Sequence, residues 1–101
     1  MFKRLAAIGV PVLVVAEYDP YHWQDDKYRA VTRRIDDAVL ACAAAAGLAT
    51  FDLFEAIDEG VRKQGLWTIY RRAHPSPAGA ELAARRIAAE LEKRHMPTNA
   101  R

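Results

Sequence analysis

The stretch that decides the fold of this chain reads Arg72-Ala73-His74-Pro75-Ser76-Pro77-Ala78-Gly79. Ser76 has the short side-chain oxygen that caps a helix N-terminus, and Pro77 suits the first helical position, where a missing N–H costs nothing. A helix is therefore predicted to begin here. Because Pro75 restricts the residue before it to an extended conformation, the sequence predicts that His74 is presented from a short, stiff loop, as a catalytic base is held.

Two apolar segments upstream predict a parallel sheet. The first, Val12-Leu13-Val14-Val15, is continuous and β-branched, which is typical of a strand buried on both faces. The second, Thr50-Phe51-Asp52-Leu53-Phe54, is shorter and carries a carboxylate. Since a long helical segment separates them, the expected arrangement is a right-handed unit of strand, crossover helix and parallel strand.

The helix between the strands has clear predicted ends, with Asp25 or Asp26 as its cap and Gly47 at its close. Its apolar residues recur at steps of three and four and predict one apolar face: Tyr28, Val31, Ile35, Val39, Cys42 and Ala46. The opposite face is charged and is predicted to be a solvated surface: Arg29, Arg33, Arg34, Asp36 and Asp37. Cys42 is expected to be a small buried hydrophobic residue.

Two further helices are predicted after the second strand. Glu55 to Gln64 forms a short helix that Gly65 ends, and the final helix follows the Ser76 cap. The final helix is expected to bury Ala80, Ala83, Ala84, Ile87 and Leu91. Leu82 falls off that face and indicates a second contact surface, and the polar tail 92–101 is expected to fray.

The block from His74 to Gly79, with the helix that continues it, resembles the last block of the SGNH/GDSL hydrolases, a family of serine esterases and acyl-transfer enzymes. The segments Gly9 to Val15 and Thr50 to Phe54 resemble, more loosely, the last two strands of that family's fold. The resemblance implies an α/β class, specifically a partial flavodoxin-like, SGNH-type three-layer fold with two parallel strands and about three helices. It also implies that His74 is the general base of a Ser-His-Asp triad.

The sequence departs from the family in its other catalytic blocks. The Gly-Asp-Ser nucleophile block and the Gly-x-Asn-Asp oxyanion block do not occur in it, and Arg72 and Arg71 stand where the family has its acid. A base without these partners cannot perform acyl transfer. The single domain 1–101 is therefore expected to be the C-terminal segment of a larger SGNH-type domain, or a degenerate relative, and to be inactive alone.

If the enzyme is completed by other residues, its expected substrate is a small-molecule or carbohydrate ester. The alternative hypothesis is a non-catalytic α/β interaction module that self-associates or binds a partner through an exposed sheet edge. A third hypothesis is an anion or nucleic-acid binder that uses six arginines: Arg33, Arg34, Arg71, Arg72, Arg85 and Arg86. The net charge of +2 is too small to favour nucleic acid as a partner.

Other candidate residues lie near the predicted ends of the strands. The loop Glu17 to Trp23 follows the first strand, where ligands gather in parallel sheets, so Asp19 and His22 are candidates to face His74. Tyr21 and Trp23 are expected to cover the end of the core. Asp52 is a weak stand-in for the missing acid and is expected to face a loop or to accept backbone hydrogen bonds.

Composition and the N-terminus set the remaining expectations. One cysteine excludes an internal disulfide, and the three histidines lack metal-ligand spacing, so neither a metal nor a cofactor is expected. Met1 to Ala16 imitates a secretory signal, but Gly9 and Pro11 interrupt it, and the strand interpretation is favoured. That favours the cytoplasm, with export as the alternative if residues 1–16 are a signal. The apolar run is too short to span a membrane as a helix.

Overall fold

A computed structural model describes residues 1–96 of the chain. The elements, in chain order, are α1 (Phe2–Ala7), β1 (Leu13–Ala16), a 3-10 helix (Pro20–Trp23), α2 (Asp26–Ala45), β2 (Ala49–Asp52), α3 (Phe54–Gln64), α4 (Leu66–Ile69), β3 (Tyr70–Arg71), β4 (His74–Pro75) and α5 (Pro77–Lys93). The mixed helix-and-strand class is therefore as predicted. The part of the predicted tail from residue 97 onward lies outside the described residues.

The two predicted strands pair in parallel, as expected for a strand-helix-strand unit. Their register runs from Leu13 opposite Ala49 to Ala16 opposite Asp52. The second strand is shorter than predicted, because the Asp52 carboxylate accepts a hydrogen bond from the Phe54 N–H at 2.9 Å and starts α3 there. Strand pairing thus ends at Asp52, and the chain turns into a helix.

The sheet separates two layers of helix. Successive side chains of a strand point to opposite faces, so Val15 and its register partner Phe51 share one face, and both pack against the core together with Ile87 of α5. Asp52 lies on the other face, where Arg33 of α2 reaches its carboxylate at 3.5 Å. One sheet face is therefore apolar, whereas the other carries a charge.

The buried core lies beyond the carboxyl ends of the strands, between α3, α4 and α5. It consists of Leu53, Ala56, Ile57, Ile69 and Tyr70. Gly79 permits the close approach of α5 to α4, since a Cβ there would lie 2.0 Å from the Ile69 carbonyl oxygen. Tyr70 belongs to this core, so the segment that leads to His74 begins in the buried region of the molecule.

Helix α5 buries a face that differs in part from the predicted one. Ala83, Ile87 and Leu91 are partly buried, as expected, but Ala80 and Ala84 are exposed, so their predicted burial is wrong. Gly79 and Leu82 are turned inward instead. A Cβ at Gly60 of α3 would lie only 2.6 Å from Leu82 Cδ2, which confirms the second contact surface that Leu82 indicated. The reason is that α5 packs against α3 and α4 as well as the sheet.

The ends of α2 are as predicted, since Asp25 caps its start and Gly47 follows its close. The Asp25 carboxylate accepts from the N–H groups of Lys27 and Tyr28 at 2.9 and 3.1 Å. Gly47 has a φ of +87°, the left-handed conformation that suits glycine, and the Leu48 N–H reaches back to the Ala43 carbonyl. Local capping signals therefore fixed both ends of this helix.

The face that α2 packs against the sheet is not the predicted one. Tyr28, Val31, Ile35 and Val39 are 37, 48, 55 and 42% exposed, and Cys42 is exposed as well, so the predicted burial of Cys42 is wrong. Arg29, Arg33 and Asp36, which were predicted to be solvated, are partly buried, and Ala43 is fully buried. Arg34 and Asp37 are exposed as predicted. The four large residues, Tyr28, Val31, Ile35 and Val39, are called the outer stripe below.

Polar groups on the sheet face explain this orientation of α2. The Arg33 guanidinium lies 4.4 Å from the centre of the Phe54 ring and 5.9 Å from that of Tyr18, and it reaches Asp52. A half-buried carboxylate is stabilised by a cationic partner, whereas valine or isoleucine in the place of Arg33 would provide none. Half-buried Asp36 also turns inward, and burial together with nearby Asp52 raises its pKa.

The three long helices correspond to the three predicted ones, and α1 and α4 are short additions. Helix α1 spans Phe2–Ala7, ahead of the first predicted strand. Helix α4 and the β3–β4 hairpin lie between the predicted short helix and the final helix. Within residues 1–96, none of the helices has the length and apolar character that a bilayer crossing requires.

Candidate functional site

A cavity of about 230 Å³ lies at the carboxyl ends of the two parallel strands. Residues directly after β1 and β2 form part of its wall, which is where open parallel sheets place their ligands. The remaining wall comes from the hairpin and from three helices. The lining residues are Glu17, Tyr18, Asp19, Leu53, Ile57, Ile69, Tyr70, Ala73, Pro75, Gly79 and Ala83.

His74 lies on the rim of this cavity, in a tight hairpin. Strands β3 and β4 are antiparallel, with Tyr70 opposite Pro75 and Arg71 opposite His74, so only Arg72 and Ala73 form the turn. Arg72 adopts a φ of +56°, a left-handed conformation that costs a residue with a Cβ about 1 kcal/mol or more. The stiff loop predicted from Pro75 is thus a β-hairpin with a two-residue turn.

The His74 side chain is exposed and lies between two residues that line the cavity. Since neighbouring side chains of a strand alternate and Pro75 lines the cavity, the His74 imidazole is directed to the other side of the hairpin, away from the cavity. Within residues 1–96, it has neither a hydrogen bond nor an ion pair. Both of its ring nitrogens are therefore available to a group that approaches the rim from outside this chain.

Ser76 serves as the helix cap that the sequence predicts. Its side chain is buried, accepts from the Gly79 N–H at 3.1 Å, and donates to the Thr68 and Ile69 carbonyl oxygens at 2.5 and 3.0 Å. A hydroxyl engaged in this way is not free to attack a carbonyl carbon. Its role is to join α5 to α4 directly behind the hairpin.

Tyr70 fixes the hairpin to the loop that follows β1. It is 2% exposed, and its hydroxyl donates to the Tyr18 carbonyl oxygen at 2.6 Å. Burial raises the pKa of Tyr70, so its hydroxyl keeps its proton and remains a donor. No sequence motif indicated this role, because an apolar segment ending in tyrosine looks like ordinary core.

Asp52 is occupied by structural partners. Besides the Phe54 N–H, its carboxylate accepts from the Tyr18 hydroxyl at 2.7 Å and lies 3.5 Å from Arg33. Burial and this hydrogen bond raise the pKa of Tyr18. The expectation that Asp52 accepts a backbone donor is confirmed, and its hydrogen bonds are made at the ends of α3 and β1 rather than with His74.

His22, a candidate to face His74, is instead fully buried and does not line the cavity. It packs among the rings of Tyr18, Trp23 and Phe54, with its Nδ1 3.0 Å from Thr32 Oγ1. Burial, followed by the nearby guanidinium groups, lowers the pKa of His22. The imidazole is therefore a neutral core side chain.

The other aromatic and acidic residues of the Glu17 to Trp23 loop divide between core and rim. Trp23 stacks on Phe54 and donates to Asp58 at 2.9 Å, so it covers the core as predicted. Tyr21 is 54% exposed, and its predicted covering role is wrong. Asp19 lines the cavity, but its oxygens already accept from the Tyr21 N–H and the Tyr28 hydroxyl.

Two of the arginines proposed to bind an anion already have partners within the chain. Arg33 packs on aromatic rings, and Arg85 pairs with Glu81 on its own helix at 2.8 Å. Arg71 and Arg72 are exposed beside His74, and neither has an ion pair within the described part of the chain. They form a small basic rim around the histidine.

The described residues offer no group of three histidine, cysteine or acidic side chains that is suited to a metal ion. The search of family models, of curated proteins and of solved structures finds no match to this chain. Its chemistry therefore has to be argued from the residues themselves.

Proposed function

We propose that this chain supplies the general-base histidine, His74, of an SGNH-type ester hydrolase or acyltransferase whose nucleophile and oxyanion donors come from residues outside this sequence. In this proposal the β1-α2-β2 unit is the last part of a flavodoxin-like sheet. The observation that carries it is the presentation of His74: an exposed imidazole with no hydrogen-bond partner among residues 1–96, on a rigid hairpin, at the rim of a cavity beyond two parallel strands.

Rigidity supports the assignment of His74 as a base, because proton transfer requires a fixed distance to the reacting hydroxyl. Three buried contacts hold the hairpin: the Tyr70 hydroxyl on the Tyr18 carbonyl, the Ser76 N–H on the Ile69 carbonyl at 2.9 Å, and the Ser76 cap itself. The exposed histidine is therefore held by buried hydrogen bonds at the base of its hairpin, in contrast to an ordinary surface histidine.

The chemistry assigned to His74 needs both ring nitrogens. One nitrogen removes the proton of a serine hydroxyl as it attacks the ester carbonyl and then delivers that proton to the leaving alkoxide. The other nitrogen requires a carboxylate to orient the ring, and Arg71 and Arg72 occupy the neighbouring positions in this chain. The nucleophile and the carboxylate both have to approach from the open side of the rim.

Ester hydrolysis tests this proposal. The coding sequence upstream of Met1 is examined for Gly-Asp-Ser and Gly-x-Asn-Asp blocks, and p-nitrophenyl acetate turnover is measured for the chain alone and for the longer product. The chain alone is expected to be inactive. In the longer product, His74→Ala is expected to lower kcat about a thousandfold or more, as removal of a triad base does.

His95→Ala provides the matched control, since His95 is also exposed and lies two residues beyond the end of α5. It should leave kcat unchanged. Equal rates for the His74→Ala variant and the parent protein, or an upstream sequence without the two blocks, would contradict the proposal.

A second candidate function, self-association as an interaction module, is favoured by the outer stripe of α2. Four large apolar side chains between 37 and 55% exposed follow one side of a 20-residue helix. A contiguous apolar patch of this kind is typical of a surface that another molecule covers. A second copy of the chain satisfies it through a two-fold contact between α2 helices.

Sedimentation velocity across a range of protein concentrations tests self-association. The parent chain is expected to dimerise, and Ile35→Glu at the centre of the stripe is expected to keep it monomeric. Ala30→Glu places the same charge on an exposed alanine of α2 outside the stripe and should not prevent dimerisation. A parent chain that stays monomeric at millimolar concentration would exclude this function.

A further inference from the structure

The cavity has an apolar floor that belongs to the core. Leu53, Ile57, Ile69 and Tyr70 are between 1 and 5% exposed, and Ala83 of α5 closes the side. The one polar atom of the Tyr70 side chain is directed to the Tyr18 carbonyl, so the ring presents carbon to the cavity. An occupant in contact with this floor therefore has to be aliphatic or aromatic, because a polar group there would find no partner.

The rim on the β1 side is acidic. Asp19 and Glu17 both line the cavity, and both oxygens of Asp19 already accept hydrogen bonds from within the chain. Glu17 is exposed, and its carboxylate has neither a hydrogen bond nor an ion pair with another residue in 1–96. Arg71 and Arg72 of the hairpin lie outside the cavity lining, whereas Glu17 and Asp19 belong to it. A ligand with an apolar end on the floor therefore meets negative charge on the β1 side of the mouth, which attracts a cationic head and repels a carboxylate.

We infer that this cavity binds a short aliphatic group attached to a cationic or uncharged head, with Glu17 selecting against carboxylates. The volume of about 230 Å³ accommodates a short chain. Binding needs only residues of this chain and does not involve the His74 imidazole.

Three probes of equal length test the inference: n-hexylammonium, n-hexanol and n-hexanoate. Their dissociation constants for the full chain are measured by amide chemical-shift titration at one ionic strength. The expected order of affinity is hexylammonium first, hexanol second and hexanoate last. Among n-alcohols, affinity should rise about fourfold for each added methylene until the cavity is filled and then level off.

Substitutions that fill the cavity should weaken the binding of hexanol. Ala83→Leu adds a branched side chain to the cavity wall and is expected to weaken hexanol binding at least tenfold, whereas Ala84→Leu, on the exposed side of the same helix turn, should have no effect. If Ala83→Leu does not fold, Ala73→Phe replaces it, since Ala73 lies at the exposed mouth. Glu17→Gln should bring hexylammonium and hexanoate to within about twofold of each other.

The outcomes separate the two proposals. Unchanged hexanol affinity in His74→Ala, with loss in the filled variants, supports the cavity whether or not the chain belongs to an esterase. Absence of hexanol binding at 20 mM, equal binding by the filled variants, or a preference for hexanoate in the parent chain would overturn the inference. None of these results would contradict the role proposed for His74, which the ester-hydrolysis assay tests separately.

Discussion

Helices α2 and α5 cover opposite faces of the same two-stranded sheet, yet only α5 turns its predicted large apolar side chains inward. Ile87 and Leu91 of α5 are partly buried, whereas the outer stripe of α2 faces solvent. The sheet explains the difference. The face under α5 carries Val15 and Phe51, and the face under α2 carries Asp52, which draws Arg33 inward. A helix therefore buries the side that matches the groups beneath it, even when that side is the more polar one.

The largest effect is expected where α5 touches α4, at Gly79. Any side chain there collides with the Ile69 carbonyl, since a Cβ would lie 2.0 Å from its oxygen. Gly79→Val is expected to lower the free energy of unfolding by about 3 kcal/mol or more, or to prevent folding. Urea denaturation followed by circular dichroism measures it.

Ala80→Val is the matched control for Gly79→Val, because Ala80 is the next residue of α5 and is exposed. Its expected cost is below about 1 kcal/mol, which reflects helix propensity alone. Similar losses for the two variants would show that α5 is not in close contact with α4.

An intermediate effect is expected at Arg33, the residue that orients α2. Arg33 and Asp52 keep 35 and 31% of their side chains exposed, so their ion pair contributes little, and the packing of the guanidinium on Phe54 contributes more. Arg33→Ala is expected to destabilise the fold by about 1–2 kcal/mol in the same denaturation assay. Arg34→Ala, its exposed neighbour, should stay within about 0.5 kcal/mol of the parent; equal losses would undermine the explanation of the α2 orientation.

The smallest effect is a pH dependence at His22, beneath the same end of α2. Burial, Arg33 and Arg29 lower its pKa below the ordinary value of 6.5, while Asp19 and Asp52 oppose them. As the pH falls below about 7, the unfolded chain therefore takes up the proton first, and stability declines until the folded pKa is passed. The slope from this one group cannot exceed about 1.4 kcal/mol per pH unit.

His22→Phe keeps an aromatic ring in the cage of Tyr18, Trp23 and Phe54 and removes the titrating group. Thermal unfolding between pH 5 and 7.5 should become flatter in this variant, whereas His95→Gln should leave the profile unchanged. If His22→Phe shows the same dependence of thermal stability on pH as the parent chain, His22 does not remain neutral in the fold.

Local signals in the sequence predicted the framework well. The Asp25 and Ser76 caps, the glycines after α2 and α3, and the parallel pairing of the two apolar segments are all confirmed. Each depends on a few neighbouring residues with strong conformational preferences, such as the cap oxygen or the left-handed glycine. The SGNH resemblance, the flavodoxin-like fold and the base role of His74 remain predictions.

Features that depend on distant residues were not predictable in the same way. The period of α2 identified an apolar side but not what would lie opposite it, and the decisive partner, Asp52, comes 19 positions after Arg33. The cavity likewise joins residues from Glu17 to Ala83, and no motif marks Tyr70 or Leu53 as its floor. Hydrophobic periodicity describes one element, whereas a site is assembled from several.

The hydrogen bond from Tyr70 to the Tyr18 carbonyl joins positions 52 residues apart and has a practical consequence. Because it anchors the base of the hairpin, the four residues from Arg71 to His74 form an exposed tip that is separable from the core. Protein engineers can exchange this tip for other two-residue turns while the anchor below is retained. The hairpin can thereby present a chosen side chain at the mouth of a small apolar cavity.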